Sequence, residues 1–170
     1  MSVDIGESLV GSYLRQVRGC DFVIYNTHLP SQGEIDVIGL KHGVQREVWL
    51  CEVATHVDGI NYGSYDVTAR KVRQKIERAG EFAHQMFAAD KCYFELWSPR
   101  VPKGKLSLML DEMSEGFAGD GIDVQIVAND LYHDRVQELI DGARTHSGAT
   151  SDPAYRLLQI LTRVTGELKL

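Results

Sequence analysis

The chain has 170 residues, 44% of them hydrophobic, and a formal net charge of −6 with a pI near 5.5. That length suits one globular domain with a real core and is short for two. The acidic balance excludes nucleic-acid binding through overall charge while leaving room for a local basic groove on an acidic body.

Cys20, Cys51 and Cys92 are widely spaced and form no CxxC. A disulfide framework and a thiolate zinc site are therefore not expected, and all three read as reduced thiols, with Cys51 inside a strand. No charged-then-apolar leader opens the chain, and no apolar run approaches the ~18 residues a bilayer span requires. The expectation is a cytoplasmic protein with no membrane partner.

Helical spacing of Ile5, Leu9, Tyr13 and Val17 predicts a first helix, with Asp4 as N-cap, Glu7 in its first turn and Gly19 at its end. Asp21 to Thr27 is β-branched and aromatic and predicts a strand, followed by a loop marked by Pro30 and Gly33. Two further strands, Glu34 to Leu40 and Glu47 to Ala54, flank the turn-like Lys41-His42-Gly43. After a linker over Asp58 to Ser64, a long helix from about Asp66 to Ala89 carries Val72, Ile76, Ala79 and Ala83 as its apolar stripe.

Tyr93 to Trp97 predicts a fourth strand, stopped by Pro99 and Pro102. Leu106 to Phe117 fits either strand alternation or a helix, and a helix is preferred. Ile122 to Val127 predicts a fifth strand, Leu131 to Ala143 a helix, and Pro153 opens a last helix. The expected fold class is α/β. Its core is α-β-β-β-α-β over about residues 5–98, an antiparallel meander followed by a crossover into a mixed sheet with helices on both faces. Residues 103–170 form an α-β-α-α extension of one domain spanning 1–170.

Strand alternation places Glu34, Asp36 and Ile38 on one face of the second strand and Ile35 and Val37 on the other. In the next strand Trp49, Cys51 and Val53 point one way and Leu50, Glu52 and Ala54 the other, so Glu52 shares a face with Asp36. Two carboxylates on central strands are costly unless a cation lies between them, and hard oxygen ligands suit Mg²⁺ or Mn²⁺.

The run Gly33-Glu34-Ile35-Asp36-Val37-Ile38, followed by Glu52-Val53-Ala54-Thr55, resembles the PD-(D/E)XK nucleases, with Holliday-junction resolvases and Mrr-like or RecB-like nucleases nearest in character. The resemblance implies a restriction-endonuclease-like core, a Mg²⁺-dependent endonuclease activity on DNA, and Asp36, Glu52, the Val53 carbonyl and Glu7 as metal ligands. It also calls for a Lys two positions after Glu52, where this chain has Ala54. Three accounts stay open: an engineered replacement, transfer of the role to Lys71, Lys75 or His56, or a domain that binds without cutting. The last makes the chain a non-catalytic DNA-binding or assembly subunit, within a homodimer or a larger nuclease complex.

In the long helix Arg70, Lys71, Arg73, Lys75 and Arg78 fall close together, with Gln74 among them. Lys71, Lys75 and Arg78 share one face and suit local phosphate binding. By the resemblance, Gln74 or Lys71 reaches the metal site. The Gln-x-x-x-Tyr pattern of the RecB-like branch is not matched, because Arg78 stands where Tyr would. The plainer alternatives are a helix-dipole role for Glu7, a loop position for His56, and a solvated basic face balanced by Glu77 and Glu81.

Overall fold

The computed structural model describes residues 3–30, 32–55, 59–60, 62–117 and 121–164. The elements in chain order are α1 (Ile5–Gln16), β1 (Phe22–His28), β2 (Glu34–His42), β3 (Arg46–Val53), α2 (Tyr65–Met86), β4 (Lys91–Ser98), α3 (Lys105–Gly116), β5 (Asp123–Ala128), α4 (Asn129–Thr145) and α5 (Pro153–Val164). The five strands form one sheet in the order β1-β2-β3-β4-β5. β1, β2 and β3 pair antiparallel, whereas β4 and β5 join parallel.

Local sequence explains most of this. Asp4 accepts hydrogen bonds from the amides of Gly6 at 2.7 Å and Glu7 at 3.1 Å, and Glu7 reaches back to the Asp4 amide at 3.0 Å, closing a reciprocal cap on α1. Ser64 caps α2, and the predicted stripe Val72, Ile76, Ala79 and Ala83 is buried. Leu106, Leu110 and Met113 are buried at helical spacing, so the segment that fitted two periods is helix α3.

Helices cover both faces of the sheet. One apolar cluster joins Val48, Leu50, Phe94 and Leu96 to α2 and α3. On the opposite face Val37, Trp49, Cys51, Trp97 and Val127 pack under Val10, Tyr13 and Leu14 of α1, with Leu131 and Tyr132 of α4 against them. A small third cluster ties Leu139 and Ala143 of α4 to Tyr155 of α5. β3 is covered on both faces, which is why it reads as an almost continuous apolar run. Residues after 103 extend the sheet by β5. Among the described residues no helix is long and apolar enough to cross a membrane.

The expected alternation holds in β3 but not throughout β2. Ile35 and Ile38 both pack into the α2-side cluster, with Val37 on the other face. The irregularity coincides with Asn26, which falls between the Tyr25–Val37 and Thr27–Ile35 pairs of the β1–β2 register and whose φ of 51° lies in the left-handed region that Asn tolerates better than most residues.

Candidate metal and phosphate site

Asp36 and Glu52 come together on the α2 side of the sheet, lining a pocket of about 280 Å³ with Leu29, Gly33, Glu34, Lys75 and Arg78. The Val53 amide donates to Asp36 Oδ2 at 2.7 Å, so the Asp36 side chain bridges β2 and β3 where β3 ends. Glu52 is 4% exposed. Its Oε2 accepts a hydrogen bond from Lys75 Nζ, delivered from the middle of α2.

The electrostatics follow from this crowding. Burial pushes the Glu52 carboxyl up to about 7; Lys75 opposes the shift and the neighbouring Asp36 carboxylate adds to it. Burial also raises Asp36, against the lowering effects of the Val53 amide and Lys75. For Lys75, burial favours the neutral amine, but the Glu52 carboxylate outweighs it and the net shift is upward. Buried Glu52 and half-buried Asp36 thus share the Lys75 ammonium in a pocket that Glu34 and Arg78 also line. The donors are hard oxygens, so the residues present fit a small divalent cation.

Ala54 is 7% exposed and packs within the apolar cluster under α2, its amide donating to the Trp97 carbonyl at 2.8 Å. Lys75 thus supplies at Glu52 the ammonium that position 54 lacks. The other candidates on α2 lie elsewhere. Lys71 Nζ lies 4.7 Å from the centroid of the Tyr62 ring, Gln74 is exposed outside the pocket, and Arg73 stands over Phe117. Arg70 is exposed, while Arg78 lines the pocket. Among the described residues Glu77 and Glu81 form no ion pair with these cations. His56 lies outside the described residues.

Glu7 is committed to its cap and also accepts from Asn26 Nδ2 at 3.3 Å. Its charge still reaches the site, raising Asp36. Gly6 explains how the α1 N-terminus comes so near. A Cβ there would lie 2.3 Å from Thr55 Oγ1, so only glycine lets the helix abut the chain leaving β3. Gly33, at φ 97°, faces Arg78, whose Nη1 would lie 3.4 Å from an added Cβ. Asn26 carries no periodic or motif signal, and although Thr55 closes the Glu52-Val53-Ala54-Thr55 run, nothing in that run reports its contact with Gly6.

No protein-family model, curated protein or solved structure matches the chain.

Proposed function

We propose that the chain is a metal-dependent phosphodiesterase of the PD-(D/E)XK type acting on DNA. The α1-β1-β2-β3-α2-β4 portion, with its antiparallel meander and parallel β4, is read as the restriction-endonuclease-like core. The observation that carries the proposal is the ammonium of Lys75 on Glu52 beside Asp36, which restores the carboxylate-carboxylate-lysine set despite Ala54.

Asp36 and Glu52 would hold Mg²⁺ or Mn²⁺, with the Val53 carbonyl as a further ligand and Glu7 contributing charge from α1. When bound, the cation supplies Lewis-acid polarisation of the phosphate and lowers the pKa of water. Lys75 positions the attacking water and offsets charge that develops on the phosphate. Arg78 borders the same pocket, and Arg70, Lys71 and Arg73 provide cations along α2 for neighbouring phosphates.

The test is cleavage of plasmid, linear, single-stranded and branched DNA in Mg²⁺ and Mn²⁺ by the native chain, Lys75→Met and Ala54→Lys. Cutting by the native chain and none by Lys75→Met is expected. Retained DNA affinity with no cutting by any of the three would replace this reading with that of a non-catalytic binding subunit.

A further inference from the structure

Helix α5 is apolar on two sides. On its inner side Ala154, Tyr155, Gln159 and Thr162 are buried. The Ala154 amide donates to Ser8 Oγ of α1 at 3.2 Å, and Tyr155 packs with Leu139 and Ala143 of α4. This side fastens α5 to the helices that cover the sheet face opposite α2.

Leu157, Ile160 and Val164 stand on the outer side. At 3.6 residues per turn they project in one direction, away from Tyr155 and Thr162. Leu157 and Ile160 are 46% and 47% exposed, and Val164 is 77% exposed. Scattered exposed aliphatic side chains are ordinary on a protein surface. These three, however, are spaced three and then four residues apart, the seam spacing by which one helix seats against another.

Arg156 and Arg163 lie a heptad apart and therefore flank the same side of the seam. Both are exposed, Arg156 also donating to Gln159 Oε1 at 3.2 Å. Neither enters an ion pair among the described residues. α5 itself contains no Asp or Glu, so it is a basic helix on a chain whose formal net charge is −6.

Charge and size distinguish the occupants. A second copy of α5 would offer the arginines no carboxylate, and three part-exposed side chains fall well short of the ~800 Å² per partner of a standard stable interface. A lipid surface would call for Trp or Phe on the outer side, and α5 has neither. We propose that the outer side of α5 docks an amphipathic helix of a partner protein whose apolar seam is flanked by Asp or Glu, in a weak and reversible complex. The partner's seam covers Leu157, Ile160 and Val164, and its carboxylates take charge-assisted hydrogen bonds from Arg156 and Arg163. None of these residues belongs to the Asp36–Glu52 site, so this proposal stands or falls independently of the nuclease reading.

The probe is a labelled peptide of about 20 residues, long enough to hold a helix alone, with leucines at heptad spacing flanked by glutamates. Its control carries lysines in place of the glutamates. Fluorescence anisotropy with the full chain should give a Kd of roughly 10–100 μM for the glutamate peptide, and binding about tenfold weaker for the lysine peptide. Arg156→Glu/Arg163→Glu should reverse that order, a result that loss of folding cannot mimic. Leu157→Ser/Ile160→Ser should weaken the glutamate peptide by about tenfold with the Tm kept. No binding of the glutamate peptide, or equal binding of the two, would overturn the proposal. Binding indifferent to the α5 substitutions would do the same and move the contact to the basic residues of α2. A dimer in sedimentation, or binding to phosphatidylglycerol vesicles, that Leu157→Ser/Ile160→Ser abolishes would replace the partner helix with a second copy or a lipid surface.

Discussion

Lys75 and Glu52, separated by 23 residues and contributed by α2 and β3, meet in a hydrogen-bonded ion pair beside Asp36. The pair places an ammonium directly on the buried Glu52 carboxylate, where Ala54 offers none. Substitution of Lys75 therefore tests function more directly than substitution at Ala54. Lys75→Met should lower the cleavage rate by about 10²-fold or more while leaving DNA affinity within a few fold, by analogy with loss of a single charge-stabilising donor. Adding Ala54→Lys should recover part of the rate. Single-turnover cleavage and a filter-binding titration separate the two effects, and equal losses in both would make Lys75 a phosphate contact instead.

Divalent-metal binding should depend on both carboxylates. Asp36→Ala or Glu52→Ala is expected to remove the calorimetric signal for Mn²⁺, and unchanged titrations would sink the ligand assignment. Asp36→Ala should also cost stability, because the Val53 amide loses its 2.7 Å acceptor.

The metal-free protein should lose stability as pH rises through the neutral range. Glu52 titrates near 7 in the folded chain against 4.5 as its ordinary value, so the folded state holds this proton more tightly than the unfolded state. That contribution is complete below about 4.5 and is lost as pH climbs through about 7, and it amounts to something on the order of 3 kcal/mol. Asp36, also raised, acts in the same direction. Melts in chelator from about pH 5 to 8 should show a falling Tm that Glu52→Gln flattens. A Tm rising over that range in the native chain would contradict the burial account.

Close packing at the start of α1 should make Gly6 intolerant of even one carbon. Gly6→Ala places a Cβ within 2.8 Å of three Thr55 side-chain atoms and should cost about 1–3 kcal/mol by denaturant titration. Pairing it with Thr55→Gly should recover much of the loss, since the two residues share one contact.

The three thiols should be inert in the folded protein. Burial pushes Cys20 up to about 12 and Cys92 to about 11, and holds Cys51 well above its ordinary value. A chromogenic disulfide reagent near pH 8 should therefore react only after denaturant is added, because the thiolate is the reactive form. Rapid reaction of Cys20 or Cys51 in the native state would show that the packing around α1 and β3 is looser than described.

Much of the architecture was legible because its signals are local. The Asp4–Glu7 cap, the apolar stripe of α2 and the two-residue alternation of β3 each depend on neighbours a few positions away, and each appears in the structure as its spacing predicts. The same alternation put Asp36 and Glu52 together, since a β2–β3 meander with a short turn leaves few registers available. Alternation breaks at Ile35 beside the left-handed Asn26 of β1, and nothing in β2's own sequence reports its partner's backbone.

The sequence by itself determined the elements, their order, the mixed sheet and the pairing of Asp36 with Glu52, because periodicity and motif spacing act over one or two turns of chain. Only the tertiary structure decided which basic residue of α2 serves that pair. Lys71, Lys75 and Arg78 share a helix face, and the packing of that helix on the apolar cluster of its own sheet face brings Lys75 to Glu52 while Lys71 rests on Tyr62. The buried Glu95–Arg135 pair, 40 residues apart in the chain, was likewise invisible until the fold closed around it. Contacts at that separation are selected by the summed burial of the whole molecule, and no short window of sequence carries that sum.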